Sequence, residues 1–193
     1  MHPLACLKHG ALLGITVIFK SRLPAPGSLW LVQACKNLGR YDDVFSDHTD
    51  LRPTIVTLVG LKDDYVHDGR ALIEILEPHA LPHDLRKDPD GFIRLAQFYK
   101  QINAPLGLVG KSSLVFADRA IKSNDQGYPN YLSAMNFITE TRTRVAGEII
   151  ALLNAAEFEK QPIPEDQSEH LVDRANKLIK EVQELADEAT ESR

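Results

Sequence analysis

The cleanest pattern in the chain lies near its C-terminal end. Between about Glu165 and Ala189 the apolar residues Leu171, Val172, Ala175, Leu178, Ile179, Val182, Leu185 and Ala186 recur at three- and four-residue steps, with Glu and Lys between them. A helix gathers that spacing onto one stripe. A stripe of this length belongs in an antiparallel bundle or against a coiled-coil partner. A second long helix is predicted from about Pro129 to Phe158, with Leu132, Met135, Ile138, Val145, Ile149, Leu152 and Leu153 facing inwards, and Gln161 to Pro164 form the turn between the two.

Two shorter helices precede them. Asp90 opens one that carries Phe92, Ile93, Leu95, Ala96, Phe98 and Tyr99 and ends before Ala104-Pro105. After a turn from Leu106 to Gly110, Ser112 or Ser113 starts another, with Leu114, Val115, Ala117, Ala120 and Ile121, and Asn124 to Gly127 break it. Pro78, Pro82 and Pro89 punctuate a polar stretch that reads as a linker. The expected fold is mainly α: a small α/β remnant, one or two strands plus a helix, followed by an antiparallel helical bundle. The corresponding divisions are a poorly defined segment at 1–28, the remnant at 29–77, the linker at 78–89 and the bundle at 90–193.

Composition limits the function classes. With 44% hydrophobic residues in 193, the chain can bury a core. Twenty-two basic against 27 acidic side chains give a net charge of -5, and no basic stripe with interleaved aromatics occurs, which argues against a nucleic-acid partner. Cys6 and Cys35 read most simply as two unpaired thiols. No apolar run reaches the roughly 20 residues that span a bilayer. Ala11 to Phe19, ALLGITVIF, has the length of a signal h-region and equally the β-branched content of a buried strand, so export stays open. Leu29-Trp30-Leu31-Val32 reads as a short buried strand.

Candidate chemistry concentrates between Ser46 and Leu76. Asp47, His48, Thr49 and Asp50 are polar, and Asp50 or Thr49 can cap the helix that follows. That helix has Pro53 in its first turn, Leu51, Ile55, Leu58 and Val59 on an expected buried face, and Gly60 at its end. A polar loop, Lys62 to His67, leads to Asp68 as the cap of a next helix with Ala71, Leu72, Ile75 and Leu76 on its apolar face.

The run Asp50-x-x-Pro53-Thr54-Ile55-Val56-Thr57-Leu58-Val59-Gly60-Leu61, followed by Asp68-Gly69-Arg70-Ala71-Leu72, resembles the C-terminal core of the alkaline phosphatase superfamily, in particular its sulfatases and type I phosphodiesterases. The stretch from Lys36 to Arg70, and the later Tyr99 to Gly107, look similar to a group of large bacterial phosphoesterases of that superfamily. The resemblance covers roughly residues 29 to 185. It implies a metal-dependent phosphoric-ester hydrolase, less so a sulfuric-ester one, with two metal ions, usually zinc, and a Thr, Ser or formylglycine nucleophile. His67 matches a zinc ligand of the phosphodiesterases. Such enzymes are typically exported.

This chain departs from that pattern. Lys8-His9-Gly10 is a poor substitute for the expected Asp-His-Gly loop, and Gln33-Ala34-Cys35 stands where a Gly-Pro-Gly turn is expected. The resemblance therefore implies a C-terminal fragment or degenerate copy that lacks the nucleophile and most ligands, inactive alone. It would pair with the missing catalytic part, and zinc or another divalent metal would belong to the parent enzymes, with none necessarily held here. Within the chain the candidate metal ligands are His67, then His48 and Asp47, and Arg70 is a candidate for a phosphate or for a nearby carboxylate such as Asp68. The competing reading is a non-catalytic interaction module. In it the bundle is the working part, and helix-mediated self-association or partner binding is the function.

Overall fold

The computed structural model describes residues 34–36, 44–65, 67–122 and 127–191. A 3-10 turn, His48–Asp50, runs directly into helix α1, Leu51–Leu58. Two more 3-10 turns, Ile73–Ile75 and Pro78–Ala80, lead to four long helices: α2 (Pro89–Asn103), α3 (Leu108–Lys122), α4 (Gly127–Phe158) and α5 (Glu165–Glu191). The fold is mainly α, as expected, and the four long helices form the antiparallel bundle.

The stripe on α5 is the spine of that bundle. Leu171, Val172, Ala175, Leu178, Ile179 and Val182 are all buried, and α5 packs on α2, α3 and α4. Its apolar face is thus satisfied within the chain and needs no coiled-coil partner. Arg174, donating from both Nη atoms to the Glu148 carboxylate, ties α5 to α4 across the solvent side. On α4, Ile138, Val145, Ile149 and Leu153 are buried, whereas Met135 and Leu152 are half-buried. Leu132, expected to face inwards, is 43% exposed. Six residues before Ile138, it is turned about 120° from the core line of a 3.6-residue helix.

Helix ends are set by caps, two of them local and one supplied by another helix. Helix α2 begins at Pro89, with Asp88 accepting from the Gly91 N–H at 3.0 Å. Helix α3 starts at Leu108, ahead of the serines, because the Gln101 side chain on α2 accepts from the Leu108 N–H at 3.2 Å. Helix α4 is closed just past Phe158 by Lys160, whose φ of 58° lets the Gln161 N–H return to the Ala155 carbonyl at 3.1 Å.

The N-terminal part joins the same core. Ala71, Ile73 and Leu76 cluster with Phe92, Leu95 and Tyr99 of α2, and Leu81 and Leu85 belong to that cluster as well. Residues 78–89 are therefore not a bare linker. Among the described residues there is no strand, only an antiparallel bridge between Cys35 and Leu76, flanked by Lys36 N–H to Ile75 O at 2.8 Å and Glu77 N–H to Ala34 O at 2.7 Å. The strand expected at Leu29–Val32, the segment 1–28 with its apolar run, and Cys6 lie outside the described residues. No described helix is long and apolar enough to cross a membrane.

Two local expectations are corrected. Helix α1 is turned away from most of the expected face: Leu58 packs partly buried against the core as expected, but Pro53, Thr54 and Thr57 take the buried positions, while Leu51, Ile55 and Val59 are 47%, 46% and 57% exposed. Polar bonding sets this orientation, since Thr54 Oγ1 donates to the Asp50 carbonyl at 2.6 Å and accepts from the Leu72 N–H at 2.9 Å. The helix stops, as expected, at Gly60, whose φ of 69° closes the turn with Leu61 N–H to Val56 O. The second helix expected after Asp68 is absent except for the single 3-10 turn. Arg70, Ala71 and Leu72 are buried in succession, and their N–H groups go to the side chains of Asp50, Glu157 and Thr54 instead of to helical carbonyls.

Candidate functional site

The polar residues singled out between Asp47 and Arg70 converge on α2 and on the end of α4. Asp47 caps the 3-10 turn: its Oδ1 accepts from the Thr49 N–H at 2.9 Å, and Asp50 returns a carboxylate oxygen to the Asp47 N–H at 2.9 Å, while Asp50 holds the cap position of α1 without a side-chain hydrogen bond to that helix. This reciprocal capping box fixes both carboxylates. It aims them at Lys100, which reaches over from α2.

Lys100 is 1% exposed, and its ammonium lies 2.8 Å from Asp47 Oδ2, 3.0 Å from Asp50 Oδ1 and 3.2 Å from Thr49 Oγ1. A buried ammonium has three protons to place, and here each finds an oxygen. Burial alone would raise the Asp47 carboxyl; the hydrogen bonds and charge of Lys100, with those of Thr49, outweigh it and hold the group below its ordinary range. Asp50 also accepts from the Arg70 N–H at 3.0 Å, so one carboxylate joins the 3-10 turn, the 69–72 segment and α2. Gly69 sits where this segment crosses the turn. A Cβ there would lie 2.0 Å from the Thr49 carbonyl oxygen.

A second buried cluster lies beside the first. Arg70 is fully buried, and its guanidinium pairs through both Nη atoms with Glu74, not with Asp68. Glu157, 6% exposed near the end of α4, accepts from the Ala71 N–H through Oε1 at 3.4 Å. Its other oxygen, and Arg70 Nε, have no hydrogen-bond partner among the described residues. Burial pushes the Glu157 carboxyl up to about 8, against the pull of the Ala71 N–H and the Arg70 charge. Three ionisable side chains thus share the seam between the 70–74 segment and α4.

His67 is half-buried at the edge, with Nδ1 3.1 Å from the Gly69 carbonyl. When Nδ1 carries the proton it donates to that carbonyl, leaving Nε2 with the lone pair, the pose of a histidine prepared as a ligand. His48 is exposed on the 3-10 turn. Asp63 is engaged with Arg52 at 2.7 and 2.8 Å and is held well below the carboxylate range by that pairing and by the Tyr65 N–H; Arg52 also stacks over Tyr65 at 4.8 Å.

A zinc site needs about four ligands. Among the described residues no group of three His, Cys, Asp or Glu side chains is placed to hold a metal, and Asp47 and Asp50 are already bonded to Lys100. These residues do not fit a complete metal centre. Nor is an activated nucleophile present among the described candidates: burial raises the Cys35 thiol, and burial together with the charges of Asp68 and Asp50 raises the Tyr99 phenol.

The central residues of this arrangement, Lys100, Glu74 and Glu157, are not among the sequence candidates. Two of them carry a readable signal. Lys100 falls four after Ala96 and eight after Phe92, and Glu157 four after Leu153 and eight after Ile149, so each stands on the buried stripe of its helix. A charge at such a position marks a buried pair. Comparison of the chain with protein-family models, with curated proteins and with solved structures finds no match.

Proposed function

We propose that this chain is the C-terminal, non-catalytic part of a metal-dependent phosphoric-ester hydrolase related to the alkaline phosphatase superfamily. In this role it contributes His67 to a metal centre whose remaining ligands and nucleophile come from a separate catalytic body, and it hydrolyses nothing alone. The observation that carries the reading is the open face of α1. Leu51, Ile55 and Val59 form an i, i+4, i+8 stripe on the helix whose sequence resembles the superfamily core, and they face solvent, with Leu61 (62% exposed) continuing the stripe beyond Gly60. A helix with threonines inside and aliphatics outside is one that has a further surface to cover. The pose of His67, with Nδ1 on the Gly69 carbonyl, supports the same reading.

Two measurements test it. The purified chain and its His67→Ala variant are assayed for zinc by elemental analysis and for turnover of an aryl phosphodiester; substoichiometric zinc and no turnover are expected, and one tightly held zinc lost in the variant overturns the non-catalytic assignment. The DNA upstream of the Met1 codon is read in all frames. An Asp-His-Gly loop and a nucleophile-bearing segment are expected there, and clean intergenic sequence overturns the hydrolase lineage in favour of the interaction module.

A further inference from the structure

The end of α4 meets the 69–74 segment through a carboxyl that the fold encloses but does not satisfy. Glu157 is 6% exposed, and its one hydrogen bond among the described residues, from the Ala71 N–H, is 3.4 Å long. The amides on either side are held more closely and by other elements: Arg70 N–H by Asp50 at 3.0 Å and Leu72 N–H by Thr54 Oγ1 at 2.9 Å. Asp50 is in turn locked to Lys100 of α2. Three consecutive backbone donors therefore belong to three anchors, and the middle one lies on α4.

The charges around Glu157 leave it without a counter-ion of its own. Among the described residues Arg70 is the charge that acts on it. Glu74 holds that guanidinium end-on, through Nη1 and Nη2, and Nη1 also donates to the Ala71 carbonyl; Nε reaches no acceptor among the described residues, and Glu157 Oε2 reaches no donor. Lys62 and Glu159, at the surface beside this end of α4, are taken up with each other at 2.9 Å. An ionised carboxylate has about four lone-pair sites to fill, and one long N–H bond inside a buried seam does not fill them. A neutral carboxylic acid is tolerated there far better. Glu157 stands in the last turn of α4, two residues before exposed Glu159, so water is within reach of its side chain once the seam parts.

We infer that Glu157 is a proton-operated latch: protonated, it holds Ala71 against the end of α4, and on giving its proton to solvent it swings out and frees Ala71, while Arg70 and Leu72 stay on Asp50 and Thr54. Enclosed, the carboxyl keeps its proton up to about 8; swung out, it loses it near the ordinary 4.5. Opening is thus favoured about tenfold per pH unit between those values and no further above them, on the order of a thousandfold in all. The latch is independent of the hydrolase reading, since neither His67 nor the outer face of α1 takes part.

The test is residue-resolved amide hydrogen exchange of the full chain by NMR, wild type beside Glu157→Gln, from about pH 5 to about pH 9. Comparing the two proteins at one pH cancels the intrinsic exchange rate. Around pH 5 their Ala71 amides are expected to exchange alike, and by about pH 8 the wild-type amide on the order of a thousandfold faster than the variant's. It should also outpace Arg70 and Leu72, and mild urea should leave its rate unchanged, because the opening frees one amide and not the bundle core. Equal Ala71 rates in the two proteins at every pH overturn the inference. So does an Ala71 amide that exchanges in step with Arg70, Leu72 and buried Ile149 of α4, with the same urea sensitivity, because the pH effect then acts by unfolding the whole chain. The wild-type protein alone decides that second outcome.

Discussion

Replacing Glu157 by Gln should make the protein more stable, by an amount that grows with pH. The carboxyl is nearly enclosed, and burial raises it from 4.5 to about 8, so the folded chain keeps a proton that the unfolded chain releases near its ordinary value. Between those two values the native state binds one more proton than the unfolded state. Its stabilising contribution is thus fully present below about 4.5 and is lost as pH rises through about 8. Each pH unit in that window removes about 1.4 kcal/mol, and the whole window on the order of 4 kcal/mol. Gln keeps an oxygen for the Ala71 N–H and fills nearly the same volume, but it has no proton to lose.

The assay is urea unfolding of wild type and Glu157→Gln at matched pH values from acid to mildly alkaline. Every other titrating group is common to both proteins and cancels in the difference. The two should be nearly equally stable around pH 5, and the variant should lead by on the order of 4 kcal/mol at pH 8. Parallel pH profiles would refute the reasoning. They would mean that Glu157 is ionised in the fold, with Arg70 compensating it beside the Glu74 pair.

Removing the Lys100 ammonium by Lys100→Met should cost about 3–5 kcal/mol in chemical unfolding, because Asp47 and Asp50 are left facing each other without a cation. Removing one of the two facing carboxylates with Asp50→Asn in the same chain should recover part of that loss, and a loss below about 1 kcal/mol for the single variant would sink the assignment of Lys100 as the buried lock between the 3-10 turn and α2. Lys160→Gly should raise stability by up to about 1 kcal/mol, since a φ of 58° strains any side chain but suits glycine; no gain in unfolding midpoint would count against strain at that helix end.

What the sequence showed well was periodic, and what it hid was relational. The stripe on α5 and the ends of α4 and α5 follow from local spacing and turn residues, and the structure places them nearly where spacing does. The early start of α3 was hidden because its cap, Gln101, belongs to another helix. The orientation of α1 was hidden for a related reason. Hydrophobic spacing assigns Leu51, Ile55 and Val59 to the inside, yet Thr54, which donates to the Asp50 carbonyl of the preceding turn, also accepts from the Leu72 N–H, a partner that only the opposite face can reach. Buried hydrogen bonds of this kind outweigh three half-exposed aliphatics, because leaving the Leu72 N–H unpaired inside the fold costs about 1–3 kcal/mol. The 70–74 segment likewise looked helical from its apolar residues, but burial on all sides fits no amphipathic helix.

The same relations decide what the candidate ligands do. Asp47 and Asp50, with Thr49, offer the kind of oxygen set that a divalent cation would need, and the Lys100 ammonium already fills it. A metal ion entering there would have to expel a buried cation whose three protons are bonded, and the turn would lose its attachment to α2. His67 stands apart from this lock, steadied by the Gly69 carbonyl and otherwise turned outward at the edge of the fold. For the hydrolase reading this leaves one imidazole to contribute, beside an α1 face with the apolar surface to seat a second body. Lock and ligand are therefore separable: Lys100→Met should loosen the fold without altering zinc binding, and His67→Ala should leave the unfolding midpoint unchanged.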